Sequence, residues 1–211
     1  MIWYQFHDFL CLLTLSMSLK RVFIHPNWGF FRALLVNDID DAVDLSKEEF
    51  VNRFRGKYTD EEHLPMWMVT EVMSFGQLYT IFRNLQRNEQ QNIALQFKLF
   101  PPVLDSWLHT INFVRNVCAH HGRLWNREIS IKPALPNERH NPEWYYPVPF
   151  RCDRVFVVLT IISYLLDRID PKNDWQKKVI NLLTDFSDVP KRSMGFPDNW
   201  QDSPLWKSSR S

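Results

Sequence analysis

An all-α fold is what three features of this 211-residue sequence predict. Apolar residues recur at spacings of three and four along most of the chain, alternating runs bounded by glycine turns are nearly absent, and only 5 glycines punctuate the sequence. Hydrophobic residues at 45% and charged residues at 23% suit a folded domain and exclude a disordered or low-complexity polymer. A chain of this length buries roughly 70% of the surface it exposes when unfolded, so it needs no disulfide or metal staple. Rings are abundant: 9 Trp, 16 Phe and 6 Tyr point to a core or contact surface built on aromatics.

The elements follow in order. Ser46 is placed as an N-cap, with Glu49 completing a capping box and Phe50, Val51 and Phe54 forming the apolar side of a helix that ends near Gly56. After a linker from Tyr58 to Pro65, Met68, Val72, Phe75, Tyr79 and Phe82 are spaced 4, 3, 4 and 3. That spacing predicts one core-facing helix from Trp67 to Leu85, in which Gly76 marks close helix packing. A short helix around Ala94 to Phe97 stops before Pro101 and Pro102, which suit the first turn of the next one. There Leu104, Trp107, Leu108, Ile111, Val114 and Cys118 form an apolar stripe. His109, Asn112, Asn116, His120 and Arg123 follow on another face at spacings of 3, 4, 4 and 3. Five prolines between Pro133 and Pro149 mark a long loop. Helices are expected at Asp153–Asp167 and, behind an Asp174 cap, at Trp175–Phe186. The tail from Met194 to Trp206 reads as an extended strap laid on the helices.

Charge and cysteine content exclude whole classes. Lys+Arg at 25 against Asp+Glu at 24 leaves a net charge of +1, so an anionic partner has to be met locally. Cys11, Cys118 and Cys152 are odd in number and widely spaced, which argues against a disulfide framework or a zinc knuckle and for a reducing compartment. The apolar stretch Phe9–Leu19 is too short to span a bilayer, is preceded by His7 and Asp8 and lacks a basic segment before it, so a cytoplasmic protein without membrane contact is expected. The acidic run Asp38–Asp44 reads as a solvated turn or helix start.

The chemistry gathers near Arg115 and His120. Five residues apart, they project about 140° from one another on an ideal helix, whereas Asn116 and His120 are stacked at i, i+4. The long Arg115 side chain can swing toward that ridge, and Arg123 and Arg127 extend its positive character. Between Lys98 and Lys132 five Lys/Arg face Asp105 and Glu128, a local excess of +3 on a neutral chain, with His109, His120 and His121 able to add to it. An arginine fork matches phosphate oxygens, and histidine serves as acid or base near neutrality; together they suit phosphodiester cleavage. The same two residues equally fit a helix-end cap and a packed polar histidine, since such pairs are common in helical proteins. No carboxylate or cysteine stands at ligand spacing from His109, His120 and His121, so neither metal nor cofactor is expected. Glu71 either reaches inward to Arg115, Arg123 or Arg127 or faces solvent. Trp125, beside Leu124, is expected as a core anchor rather than a base-stacking surface.

Three ordered blocks carry a resemblance. They are Pro65-Met66-Trp67-Met68-Val69-Thr70-Glu71-Val72-Met73-Ser74-Phe75-Gly76, the run Arg115-Asn116-Val117-Cys118-Ala119-His120-His121-Gly122-Arg123-Leu124-Trp125-Asn126-Arg127 with Trp107, Leu108 and Ile111 before it, and Met194-Gly195-Phe196-Pro197-Asp198-Asn199-Trp200 with Pro204-Leu205-Trp206. From about Glu48 to Trp206 the chain resembles the Abi-like abortive-infection family, the AbiD/AbiF type of bacterial phage-resistance proteins. The resemblance implies the HEPN superfamily, helical bundles in which an Arg-polar-x3-His motif makes a metal-independent endoribonuclease site. It thereby implies a HEPN-like helical bundle over residues 37–211, with the Pro-rich loop and the C-terminal strap as its additions. Residues 1–36 do not resemble the longer helical beginning of related chains and are expected to be an atypical segment, from either a truncated or a shifted reading frame.

Carried over by the same resemblance, Arg115 would bind the scissile phosphate, Asn116 would orient the pair and His120 would act on the 2′-hydroxyl or the leaving oxygen. His121, Arg123, Arg127 and Asn112 would contact the RNA substrate. The implied reaction leaves a 2′,3′-cyclic phosphate and a 5′-hydroxyl without a metal or other cofactor. Implied partners are RNA, a small-RNA antitoxin and a second copy of the chain in a symmetric homodimer. The alternative is a non-catalytic HEPN module that binds RNA or a protein through the same basic ridge.

Overall fold

The computed structural model describes residues 43–61 and 63–207. The segment 1–36, with Phe9–Leu19 and Cys11, and the acidic run as far as residue 42 lie outside the described residues. Among the described residues there are helices and turns and no strand, so the fold is all-α. In order these are α1 (Glu49–Lys57), α2 (Met66–Val72), α3 (Phe75–Asn84), α4 (Arg87–Gln96), α5 (Pro101–Ala119), α6 (Val155–Ile169) and α7 (Trp175–Asp185), with short 3-10 turns between and after.

The centre is α6. Every residue from Val155 to Leu166 is buried, which an amphipathic helix cannot achieve and a helix apolar all round must. Its three buried hydroxyls are satisfied: Thr160 Oγ1 donates to the Phe156 carbonyl at 2.9 Å, Ser163 Oγ accepts from Gln176 Nε2 at 2.8 Å, and Tyr164 Oη donates to the Phe97 carbonyl at 3.1 Å. Against α6 lies α5, through Leu104, Trp107, Leu108, Ile111 and Val114, all fully buried as their spacing requires.

The Pro-rich segment after α5 belongs to the core. Trp107 Nε1 donates to the Ala134 carbonyl at 2.8 Å and Thr110 Oγ1 to the Ile131 carbonyl at 3.0 Å, while the Ala134 N–H donates to Ser106 Oγ at 2.6 Å. These bonds hold the segment against one side of α5. Farther along it, a 3-10 turn at Pro142–Trp144 inserts the wholly buried Trp144, whose ring lies 5.0 Å from Trp107 and 5.5 Å from Tyr164.

Several expected boundaries moved. Ser46 is not the N-cap of α1; Glu48 is, without a side-chain bond, and the Ser46 hydroxyl accepts from the Glu48 N–H just outside the helix. The single helix Trp67–Leu85 is two. Met73 is extended and Ser74 begins α3 with a full capping box: the Gln77 N–H donates to its hydroxyl at 3.2 Å and its own N–H donates to Gln77 Oε1 at 2.8 Å. Met73 and Phe75 are both buried. In an unbroken helix they would point about 200° apart, so only a break lets both reach the core.

The short helix expected at Ala94–Phe97 is the end of α4, whose mostly polar sequence buries only Ile93 and Ala94 and so gives little periodic signal. The α6 helix starts and ends two residues later than expected. At α7 Asp174 is the N-cap but makes no side-chain capping bond, its carboxylate pairing with Lys178 at 2.9 Å; Asn173 Oδ1 accepts from the Trp175 N–H instead.

The C-terminal strap is a chain of 3-10 turns rather than an extended segment. It covers α6 with rings: Phe196 lies 4.3 Å from Phe156, Trp206 lies 5.8 Å from Phe156, and Trp200 meets Trp206 edge-on at 5.4 Å. Trp206 Nε1 donates to Thr160 Oγ1 at 2.9 Å, and Gln176 Nε2 donates to the Leu205 carbonyl at 2.9 Å. Gly195, left-handed at φ 87°, starts the strap where a Cβ would stand 2.4 Å from Arg154 Cβ.

The strap therefore contributes measurably to stability. Trp206→Ala is expected to lower the unfolding free energy by about 3–5 kcal/mol. Trp206→Phe, which keeps a ring but removes the donor to Thr160, should cost about 1–2 kcal/mol. Urea denaturation followed by circular dichroism measures both; equal and negligible losses would show the strap to be dispensable.

Candidate functional site

The motif sits where α5 stops. Ala119 is the last helical residue, His120 is the C-cap with its N–H donating to the Asn116 carbonyl at 3.0 Å, and His121 takes the left-handed conformation at φ 54°. The His121 N–H then donates to the Cys118 carbonyl at 2.9 Å and the Gly122 N–H to the Val117 carbonyl at 2.7 Å. This paired bonding is the left-handed helix terminator, normally made with glycine at the left-handed position. Here glycine comes one residue later for a different reason. A Cβ on Gly122 would lie 2.7 Å from the Val117 oxygen and 2.8 Å from its Cγ1, so only glycine lets the chain close back on the helix. His121 carries the conformational strain, of order 1–2 kcal/mol for a residue with a Cβ.

The terminator fixes what the ridge contains. Asn116 and His120 are both exposed, one turn apart, at the end of α5. Arg115 is half-buried, and its Nη1 donates to Asn116 Oδ1 at 3.1 Å, so the guanidinium turns toward the ridge in spite of its 140° offset. Arg123 is not on the ridge as the spacing suggested, because the chain has already left the helix; it is exposed in the following loop.

Arg127 is exposed in the turn Leu124–Arg127, closed by its N–H donating to the Leu124 carbonyl at 2.9 Å, with Asn126 left-handed at φ 55°. That turn buries Leu124 and sends its neighbour outward. Trp125 is accordingly 37% exposed, not the core anchor expected.

Asn112 occupies a different environment. Its amide lies against Gly76 of α3, where a Cβ would stand 3.4 Å from Oδ1, and that oxygen is buried with no hydrogen-bond partner among the described residues. Gly76 thus marks close helix packing, as the sequence suggested, and the partner helix is α5. Glu71 is exposed.

Two residues that the sequence did not single out hold the site in place. Arg154, at the start of α6, donates through Nη1 to the Asn126 carbonyl at 2.9 Å. The Asp153 carbonyl accepts from the Ile129 N–H at 2.9 Å. Both contacts span more than twenty residues of sequence, so no local pattern announces them. The Arg151 guanidinium on Asp153 holds that carboxyl below the usual carboxylate range, against the opposing effect of burial. Burial pushes the Cys118 thiol, on the inner side of the same helix turn, up to about 11; it stays protonated at neutral pH and is no nucleophile there. No group of three or more His, Cys, Asp or Glu among the described residues is placed to hold a metal ion. No helix among them is long and apolar enough to cross a membrane.

Residues 6–126 match the family model of the Abi-like protein family, more than half of the chain. The chain belongs to the Abi-like family. The match ends at Asn126, just past the helix terminator, and so includes Arg115, Asn116 and His120. It also takes in most of the segment 1–36 set apart above as atypical, and it stops short of the strap. Neither a curated protein nor a solved structure gives a significant match to this Abi-like chain.

The terminator makes opposite predictions for adjacent residues. His121→Gly relieves the left-handed strain and is expected to raise stability by about 0.5–1 kcal/mol, less than the full strain because glycine loses more entropy on folding. Gly122→Ala drives a methyl into the Val117 carbonyl and should cost about 1–3 kcal/mol. Thermal unfolding of the two variants checks the order; a stabilised Gly122→Ala would contradict this geometry.

Proposed function

We propose that this Abi-like chain is a metal-independent endoribonuclease acting in phage defence, with Arg115, Asn116 and His120 as its site. The observation that carries the reading is the 3.1 Å hydrogen bond from Arg115 to Asn116, which brings a fixed positive fork beside the exposed ridge ending at His120. Arg115 holds the two non-bridging oxygens of the scissile phosphate, and Asn116 keeps the guanidinium oriented. The 2′-oxygen of the substrate attacks the adjacent phosphorus, its proton passes to a histidine, the bond from phosphorus to the 5′-oxygen breaks, and that oxygen takes up a proton. The products are a 2′,3′-cyclic phosphate and a 5′-hydroxyl. Charge stabilisation and general acid–base help are all the step requires, and RNA is the substrate because DNA has no attacking hydroxyl. The local +3 excess between Lys98 and Lys132, with Arg123 and Arg127 exposed past the helix end, supplies the attraction for the strand.

In this reading the working unit is a symmetric pair of chains. One proton must be removed and another delivered on opposite sides of the phosphorus, and a single ridge ends in one suitably placed imidazole at His120. A second copy across a two-fold axis supplies the other, with the exposed Trp125 available to seal the contact.

Purified protein incubated with total RNA in excess chelator is expected to yield fragments with 5′-hydroxyl ends. His120→Ala should reduce the rate about 10²- to 10⁴-fold while the protein stays folded, since the residue is exposed. Arg115→Ala should act in the same direction. Full cleavage by folded His120→Ala protein refutes the assignment. Activity per mole should fall on dilution in step with the loss of dimer mass in light scattering; a fully active monomer rules out the shared site.

A further inference from the structure

We infer that His109 is a stacking platform for one unpaired base of a single-stranded RNA, held a few nucleotides from the bond cut beside His120. The placement of the cut rests on the ribonuclease reading; the stacking itself does not. His109 is exposed on α5, yet its ring is held nearly parallel to that of Tyr79 on α3, with 5.2 Å between centroids and 13° between planes. Tyr79 is buried, so the histidine is the accessible ring of the pair and the tyrosine its rigid backing. The Arg83 guanidinium stands 5.7 Å from the Tyr79 centroid, and its Nε is 4.0 Å from the Asp105 carboxylate. That ion pair offsets the charge of Asp105, which would otherwise repel a phosphate strand.

Position makes the platform useful. His109, Asn116 and His120 lie within about 20° of one line along α5, and His109 precedes the other two by about 10 and 16 Å of helix rise. A strand laid along the ridge spans that distance in about three to five nucleotides at the ~3.4 Å rise of stacked bases. Aromatic side chains hold bases irrespective of sequence, because every base presents a π-face. A backed, exposed ring in register with a phosphate-binding ridge is therefore suited to fix where the strand enters without reading its sequence.

The first measurement is the binding of short single-stranded RNA of mixed sequence, its 2′-hydroxyls methylated so that it is bound and not cut, to the full chain. His109→Ala is expected to weaken binding about tenfold, with the salt dependence unchanged because no phosphate contact is lost. His109→Phe keeps a ring of similar shape and should restore binding. Unchanged binding in His109→Ala, or equal losses in both variants, overturns the platform; the second result would mean that the imidazole acts by charge or hydrogen bonding.

The second measurement scans a single abasic nucleotide through a cleavable strand. KM should rise about tenfold at one position roughly three to five nucleotides from the cut, and His109→Ala should abolish that sensitivity with kcat retained. RNA cut without dependence on His109 overturns this inference and leaves the ribonuclease reading standing. Binding that depends on His109 without any cutting does the reverse, and failure to bind RNA at all overturns both.

Discussion

Burial of α6 on every side is the constraint to which the rest of the fold answers. A helix that is apolar all round cannot lean on one neighbour and leave its other faces in water, so cover has to arrive from several directions. Helix α5 supplies one wall and α7 another, and the Pro-rich segment and the C-terminal strap complete the enclosure with Trp144, Phe196, Trp200 and Trp206. The high aromatic content has its use here, because rings bury more area per residue than aliphatic side chains and segments without regular structure can deliver them singly. The hydroxyls of Thr160 and Ser163 are the polar counterpart. Buried within α6, they receive bonds from Trp206 and Gln176, and so fix the position of the strap as well as the area it covers.

The candidate site inherits its rigidity from that enclosure. The inner stripe of α5 is locked by Leu104, Trp107, Leu108, Ile111 and Val114, so its outer ridge is held without contributing to the core itself. Where the helix ends is decided by the close return of Gly122 onto Val117, and the strain is left on His121, next to the residue proposed to do chemistry. Local strain adjoining a reactive group is tolerated when its surroundings over-determine it. Arg154 and Ile129 secure the loop beyond the terminator to the start of α6, so the loop carrying Arg123 and Arg127 is tied to the same core as the ridge.

The sequence by itself determined the helical class, the inner stripe of α5, the close helix packing at Gly76 and membership of the Abi-like family. Each depends on spacing along one element or on the order of residue types, which a linear string records faithfully. What it misjudged was local competition. Ser46, expected to cap, does not, whereas Ser74, expected inside a single helix, does, because Met73 and Phe75 must both reach the core and the helix breaks there to allow it. Trp125 looked like core beside Leu124, yet a tight turn sends adjacent residues to opposite sides. Only the tertiary structure decided that Arg115 turns toward Asn116, that Arg123 leaves the ridge, and that His109 rests on Tyr79 thirty residues away. Those contacts join elements whose relative placement is set by how α6 is covered, and no periodicity within a single helix carries that information.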